Sequence, residues 1–177
     1  MSTESRPQID PKVLHKLFCA ASTYRDRAYA PYSHFNDSNM SSVGAALLTT
    51  TGEIIGGCNI ENAAYSPGIC AERTAIAKAV SEGIKTFTAV AVTSSIPSPS
   101  TTPCGVCRQV LREFLPPHIP IYMLSSTYPS SSEMPPDWLV RQDWKSEEAT
   151  KVVDVESMES LLPKAFGPSH LDLPRDP

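Results

Sequence analysis

Two short stretches, Cys70-Ala71-Glu72 and Pro103-Cys104-Gly105-Val106-Cys107, restrict what this chain can fold into more than any other feature. Each sits where a helix begins. Cys70 opens a run to Gly83 that carries Ala75, Ile76, Ala79 and Val80 on one face, with Gly83 suited to the position just past a helix end. Cys104 and Cys107 stand at i and i+3 in the first turn of a second helix, which runs to Leu115 with Val106, Val110, Leu111 and Phe114 inward. Both of those sulfurs address one spot beside a helix N-terminus. If Cys70 joins them, two helix N-termini meet, and their dipoles lower thiol pKa and favour the thiolate, the form that binds metal.

The rest of the composition narrows the setting. Five cysteines, Cys19, Cys58, Cys70, Cys104 and Cys107, are an odd and sparse set for a disulfide scaffold, so Cys104-x-x-Cys107 reads as a metal or redox site in a reducing compartment. With 15 Lys+Arg against 19 Asp+Glu the net charge is −4, and no basic run is present, which disfavours a nucleic acid partner. The longest apolar stretches, such as Val43–Leu48, fall far short of the roughly 20 residues of a membrane span. The opening MSTESRPQID is polar and acidic, unlike a signal peptide. A soluble cytoplasmic protein without a membrane partner is expected, folded as a single domain over 1–177.

Periodicity supplies the elements. Asp10-Pro11 reads as the N-cap and first residue of a helix, with Val13, Leu14, Leu17, Phe18, Ala21 and Tyr24 at helical spacing, ended by Ala30-Pro31. Val43–Thr49 and Glu53–Cys58 read as a hairpin turned at Thr51-Gly52. Thr88–Ser94, Ile119–Leu124 and Lys151–Val155 read as further strands, and Ser157–Leu162 as a short helix. Strands alternating with helices predict an α/β fold with at least part of its sheet parallel. Residues 1–9 and 169–177 are expected to be flexible, and 125–150 to be a Ser/Pro-rich insertion. Its first part, Ser125–Pro136, is expected to be an exposed excursion with little to bury.

Three thiolates with an open fourth position describe a catalytic zinc site better than a closed structural one. The formal −1 charge of zinc with three thiolates is a poor one for making hydroxide. The helix dipoles and Arg73 are the available offsets. Glu72, two residues after Cys70, is too close in one helical turn to be a comfortable second ligand, but it can reach a water on the metal and shuttle protons. Hydrolytic deamination needs this set: zinc lowers the pKa of its water towards ~7, hydroxide adds to C4 of a cytosine, N3 takes a proton and the departing amine another.

Asn59-Ile60-Glu61-Asn62, Cys70-Ala-Glu-Arg73 and Pro103-Cys-Gly-Val-Cys-Arg-Gln109 together resemble the motifs of the small zinc-dependent cytidine deaminases that form homotetramers. The likeness runs from about Lys12 to Leu124 and resumes from Leu161 to Pro168. Cys70 stands where other branches carry His, as in the free-nucleoside branch. The resemblance implies a three-layer α/β/α sandwich around a mixed sheet, one zinc per subunit held by Cys70, Cys104 and Cys107, and Glu72 as acid/base. It implies hydrolysis of the amidine C–N bond of cytidine and deoxycytidine, a step of pyrimidine salvage. It further implies that Asn59 and Glu61 hold a ribose hydroxyl, that Phe35 packs on the pyrimidine, and that Ala71 also contacts substrate. Tyr65 and Phe166 would reach a neighbouring subunit's site in a homo-oligomer, a tetramer with shared sites. Arg73 would temper thiolate charge. The chain departs from the family pattern in the polar residues 36–42 and in the expanded 125–150.

Other readings stand beside these. A thioredoxin-like dithiol fits Cys104-Gly-Val-Cys107 but leaves Cys70-Ala-Glu72 and Asn59-Ile-Glu61 unexplained. A structural zinc module needs a fourth protein ligand, for which Cys58 is the spare cysteine nearby. A deaminase of a cytosine-bearing antibiotic such as blasticidin S shares the cysteine motifs, though by the resemblance it lacks Asn-Ile-Glu and the Phe166-Gly-Pro tail. Cys19 and Cys58 read as small buried apolar residues, and His15, His34, His118 and His170 as surface or incidental. Phe35 and Tyr65 could equally be core aromatics, Phe166 a tail residue packing on its own subunit, and Glu61 a helix-flanking charge.

Overall fold

Side chains of successive strand residues point to opposite faces of a sheet, and here that alternation builds two cores. The structure, a computed structural model, describes residues 7–33, 42–97 and 100–170. Strands β1 (Val43–Thr49), β2 (Ile54–Cys58), β3 (Phe87–Ser94), β4 (Pro120–Leu124) and β5 (Val153–Ser157) form one sheet in the order β2-β1-β3-β4-β5. It is mixed: β3 and β4 run parallel, with Val90 opposite Ile121, and the other neighbours are antiparallel. The helices are α1 (Pro11–Arg25), α2 (Ala71–Ser81), α3 (Gly105–Phe114), α4 (Asp137–Val140), α5 (Glu147–Val152) and α6 (Met158–Leu161).

On one face Ala45, Leu47, Ile55, Val90, Val92, Ile121 and Met123 pack against Ala75, Ile76 and Ala79 of α2, Leu111 of α3 and Met158 and Leu161 of α6. The opposite face sets Ala46, Leu48, Ala89, Ala91, Tyr122 and Leu124 against Leu14, Leu17, Phe18 and Ala21 of α1, with Trp138, Leu139 and Ala149 from α4 and α5. This is the expected α/β/α sandwich. Small residues let the layers approach closely: a Cβ on Gly57 of β2 would lie 2.4 Å from the Ala75 nitrogen and 2.8 Å from the Ala71 carbonyl oxygen of α2. Gly57 thereby fixes the height of α2, and with it Cys70, above the sheet. Beyond the α2 C-cap, Gly83 takes φ +84, which a side chain would strain.

Several expectations are corrected. Helix α1 stops at Arg25, short of Ala30, because Tyr29 is drawn into backbone pairing with Asn59 and Glu61. Strand β5 begins at Val153, since Ser146 caps a helix through Val152 that periodicity did not reveal. Val106, expected inward, is exposed in the first turn of α3. The largest correction concerns the segment after Leu124. Tyr128 is buried, stacking edge-on against Phe18 at 5.3 Å between ring centroids and against Trp138 at 6.4 Å. His15, expected at the surface, is buried beneath it, with Nδ1 2.6 Å from the Tyr128 hydroxyl and Nε2 2.9 Å from the Ser132 carbonyl oxygen. Ser125–Pro136 is therefore exposed only in part: Ser131–Met134 face solvent as expected, whereas Ser125 and Tyr128 are buried. At the N-terminal side Ile9 packs on this same core, and its carbonyl accepts a hydrogen bond from Gln142 Nε2 at 2.9 Å.

Candidate metal centre and active site

Cys70 is the N-cap of α2 and Cys104 the N-cap of α3; both take extended backbone angles and neither side chain caps its helix. The sulfurs are thus left to face each other. Cys70 Sγ lies 4.0 Å from Cys104 Sγ, and the three sulfurs of Cys70, Cys104 and Cys107 all fall within 4.8 Å of one another. A tetrahedral zinc with Zn–S bonds of about 2.3 Å separates its sulfurs by about 3.8 Å, so this donor set fits the ion with little movement. Among the described residues it is the cluster able to hold a metal, and Cys58, half-buried with its thiol toward the Arg27 carbonyl, is no part of it.

The electrostatics follow from the placement. A hydrogen bond from Cys107 lowers the Cys70 thiol pKa to about 5, assisted by the Arg73 guanidinium, whose Nη2 is 3.5 Å from Cys70 Sγ. Hydrogen bonding to Cys70 and burial push the Cys107 thiol up. Arg73 also donates to the Gly68 carbonyl at 3.5 Å, which aims it at the cluster. Glu72 is only 4% exposed, and desolvation raises its carboxyl above the usual range. A carboxyl whose neutral form is favoured by burial beside the thiols is suited to give and take a proton there.

A cleft of about 290 Å³ opens over these groups. Cys70, Glu72 and Cys104 line its floor, while Asn59, Glu61 and Tyr65 line its wall. Val43, Thr101 and Thr102 also line it, though sequence reasoning did not single them out. Only the position of the two threonines just before Pro103-Cys104 signals them; Thr101 is held by the Ser94 hydroxyl at the end of β3. Ala71 is fully buried at the first position of α2 and is absent from the cleft lining. Tyr65 is 91% exposed at the rim. Phe166 is 64% exposed on a segment seated on α3, where Gln109 Nε2 donates to its carbonyl at 3.1 Å and Arg108 bridges the Pro103 and Leu161 carbonyls at 2.7 and 2.8 Å. Phe35 lies outside the described residues, as does His34.

Residues 13–123 match the family described as the cytidine and deoxycytidylate deaminase zinc-binding region. The chain belongs to that family, and its cofactor is zinc. It is 48% identical over 110 residues to a cytidine deaminase of Sporosarcina psychrophila, an alignment covering 62% of this chain and 76% of that one. The crystal structure of cytidine deaminase from Burkholderia pseudomallei superposes with a TM-score of 0.65 at 36% identity, over 86% of this chain and 98% of the other. The likeness to a blasticidin-S deaminase of Bacillus cereus is weaker, at 36% over 87 residues, or 45% of this chain and 62% of that one. No helix among the described residues is long and apolar enough to cross a membrane.

Proposed function

We propose that this chain hydrolyses the 4-amino group of cytidine and deoxycytidine, consuming water and releasing ammonia and the uracil nucleoside. The observation that carries the reading is the three-thiol cluster at a cleft of about 290 Å³, with Cys70 and Cys104 lining the cleft, Cys107 buried behind them and the carboxyl of Glu72 beside it. Cys70, Cys104 and Cys107 hold the zinc, which when bound supplies the Lewis acidity that activates water. Arg73 and the two helix N-termini offset thiolate charge. Glu72 takes one proton of the attacking water and gives it to N3 as oxygen adds to C4; it then takes the second proton from that oxygen and gives it to N4, so that C4=O forms as the C4–N4 bond breaks and ammonia leaves.

On the wall, Asn59 Oδ1 accepts from the Val43 amide at 2.8 Å, and the Asn59 side chain carries both donor and acceptor groups. Glu61 is acceptor-only when ionised. A donor and an acceptor side by side suit a hydroxyl, which does both, and the ribose of the substrate supplies one. Phe35 completes the proposed contacts to the base, whereas Ala71, beside the metal ligand Cys70, is fully buried and outside the cleft lining. Tyr65 and Phe166, both large aromatics left in solvent by a single chain, support shared sites in a homotetramer. All five cysteines are free, which suits the cytoplasm.

The test is conversion of cytidine and deoxycytidine followed by ultraviolet absorbance, with blasticidin S in parallel and zinc counted per chain. Glu72→Gln should keep its zinc and lose about 10²- to 10⁴-fold in kcat. Loss of zinc from that variant would make Glu72 a ligand, and preference for blasticidin S would overturn the nucleoside reading.

A further inference from the structure

The tripeptide Asn59-Ile60-Glu61 is proposed above to read the ribose, yet most of its polar groups are already engaged with protein. Tyr29 N donates to the Asn59 carbonyl at 3.1 Å, and Glu61 N donates to the Tyr29 carbonyl at 2.7 Å. Glu61 Oε2 collects two further backbone amides, Tyr32 at 2.8 Å and Ser33 at 3.2 Å. Asn59 grips Val43 twice, its backbone N donating to the Val43 carbonyl at 3.1 Å and its Oδ1 accepting from the Val43 amide at 2.8 Å. Ile60 and Ile69 exchange both backbone hydrogen bonds, at 2.9 and 3.0 Å, and Ile69 immediately precedes Cys70. Three chain segments distant in sequence meet on these three residues.

From this junction we infer that Glu61, with Asn59, is a positioning residue: it ties the Tyr29–Ser33 stretch and the start of β1 to the Ile60–Ile69 bridge that leads into Cys70. This goes beyond ribose contact and rests on the deaminase reading only for its kinetic test. The physical argument is one of valence. A carboxylate has two oxygens, and Glu61 spends one of them on two amides of an exposed stretch. The other oxygen suffices for a ligand hydroxyl. Losing the carboxylate therefore releases the Tyr32–Ser33 backbone whether or not a ribose is present, and charged acceptors make the stronger hydrogen bonds.

The two roles separate on a substrate without ribose hydroxyls. Glu61→Ala should lower kcat/KM about tenfold or more for 2′,3′-dideoxycytidine as well as for cytidine, with zinc content unchanged. Glu61→Gln keeps an acceptor oxygen and should recover most of the loss on dideoxycytidine but not on cytidine. In the same proteins, amide hydrogen exchange at Tyr32 and Ser33 should accelerate about tenfold or more in the Ala variant and return toward wild type in Gln. If Glu61→Ala does not fold, Glu61→Asp, too short to reach the two amides, takes its place. Turnover of dideoxycytidine untouched by either truncation, or unchanged exchange, would overturn the inference and leave a ribose contact alone. If the wild-type protein deaminates neither nucleoside, the deaminase reading fails, and exchange decides the clamp by itself.

Discussion

The two faces of the sheet are built of different materials. The face under α2 and α3 is mostly aliphatic, with Ala71 and Ala75 of α2 close against Gly57, while the face under α1, α4 and α5 carries an aromatic cluster, Phe18, Tyr122, Tyr128, Trp138 and Trp144, in mutual ring contact. Small residues let a helix lie close to the sheet and so fix the position of its N-terminus, where the thiols sit. Large rings instead fill the space beneath the long, irregular segment after Leu124. One face places groups to within a bond length; the other supplies stability.

The contrast can be broken most sharply at the metal. Cys104→Ala should lose zinc and turnover together, and should also lower stability, because the site joins the first turns of α2 and α3. Zinc counting, activity and denaturant unfolding on one preparation check it. If zinc stayed at full occupancy, the three-thiol assignment would be wrong.

The opposite face should behave in the converse way. Trp138→Ala empties a buried ring site and should cost about 3–5 kcal/mol in stability, while kcat/KM per bound zinc stays within about twofold. Urea unfolding and kinetics separate the two quantities, and a large fall in kcat/KM of the folded protein would show that the faces are coupled. A subtler change is Tyr128→Phe. It keeps the ring and strips the hydroxyl from buried His15 Nδ1, with an expected loss of about 1–3 kcal/mol and no effect on activity. Unchanged stability would mean that water replaces the hydroxyl.

The legibility of the two faces in the sequence differs for the same reason. Cys70, Glu72, Cys104 and Cys107 were identifiable because their placement is local: a residue at a helix start is put there by the next few residues, and two such starts needed only to meet. Nothing local marks the aromatic face. His15 and Tyr128 lie 113 residues apart, and the Ser and Pro around Tyr128 suggested solvent, whereas its ring is buried against Phe18. Likewise Ser146, the N-cap of α5, sits in a stretch whose helix is a turn and a half long, too short for periodicity to declare.

By itself the sequence determined the five strands within a few residues, the helices that open at Cys70 and Cys104, and the residue types at the metal, since hydrophobic period and helix-start chemistry act over a handful of neighbours. Tertiary structure alone decided that α1 yields at Arg25 to the pull of Asn59 and Glu61 on Tyr29, that the segment after Leu124 closes a second core over His15, and that Thr101 and Thr102 join the cleft. Those outcomes depend on hydrogen bonds and ring contacts between residues tens to more than a hundred positions apart, and such pairings leave no periodic trace along the chain.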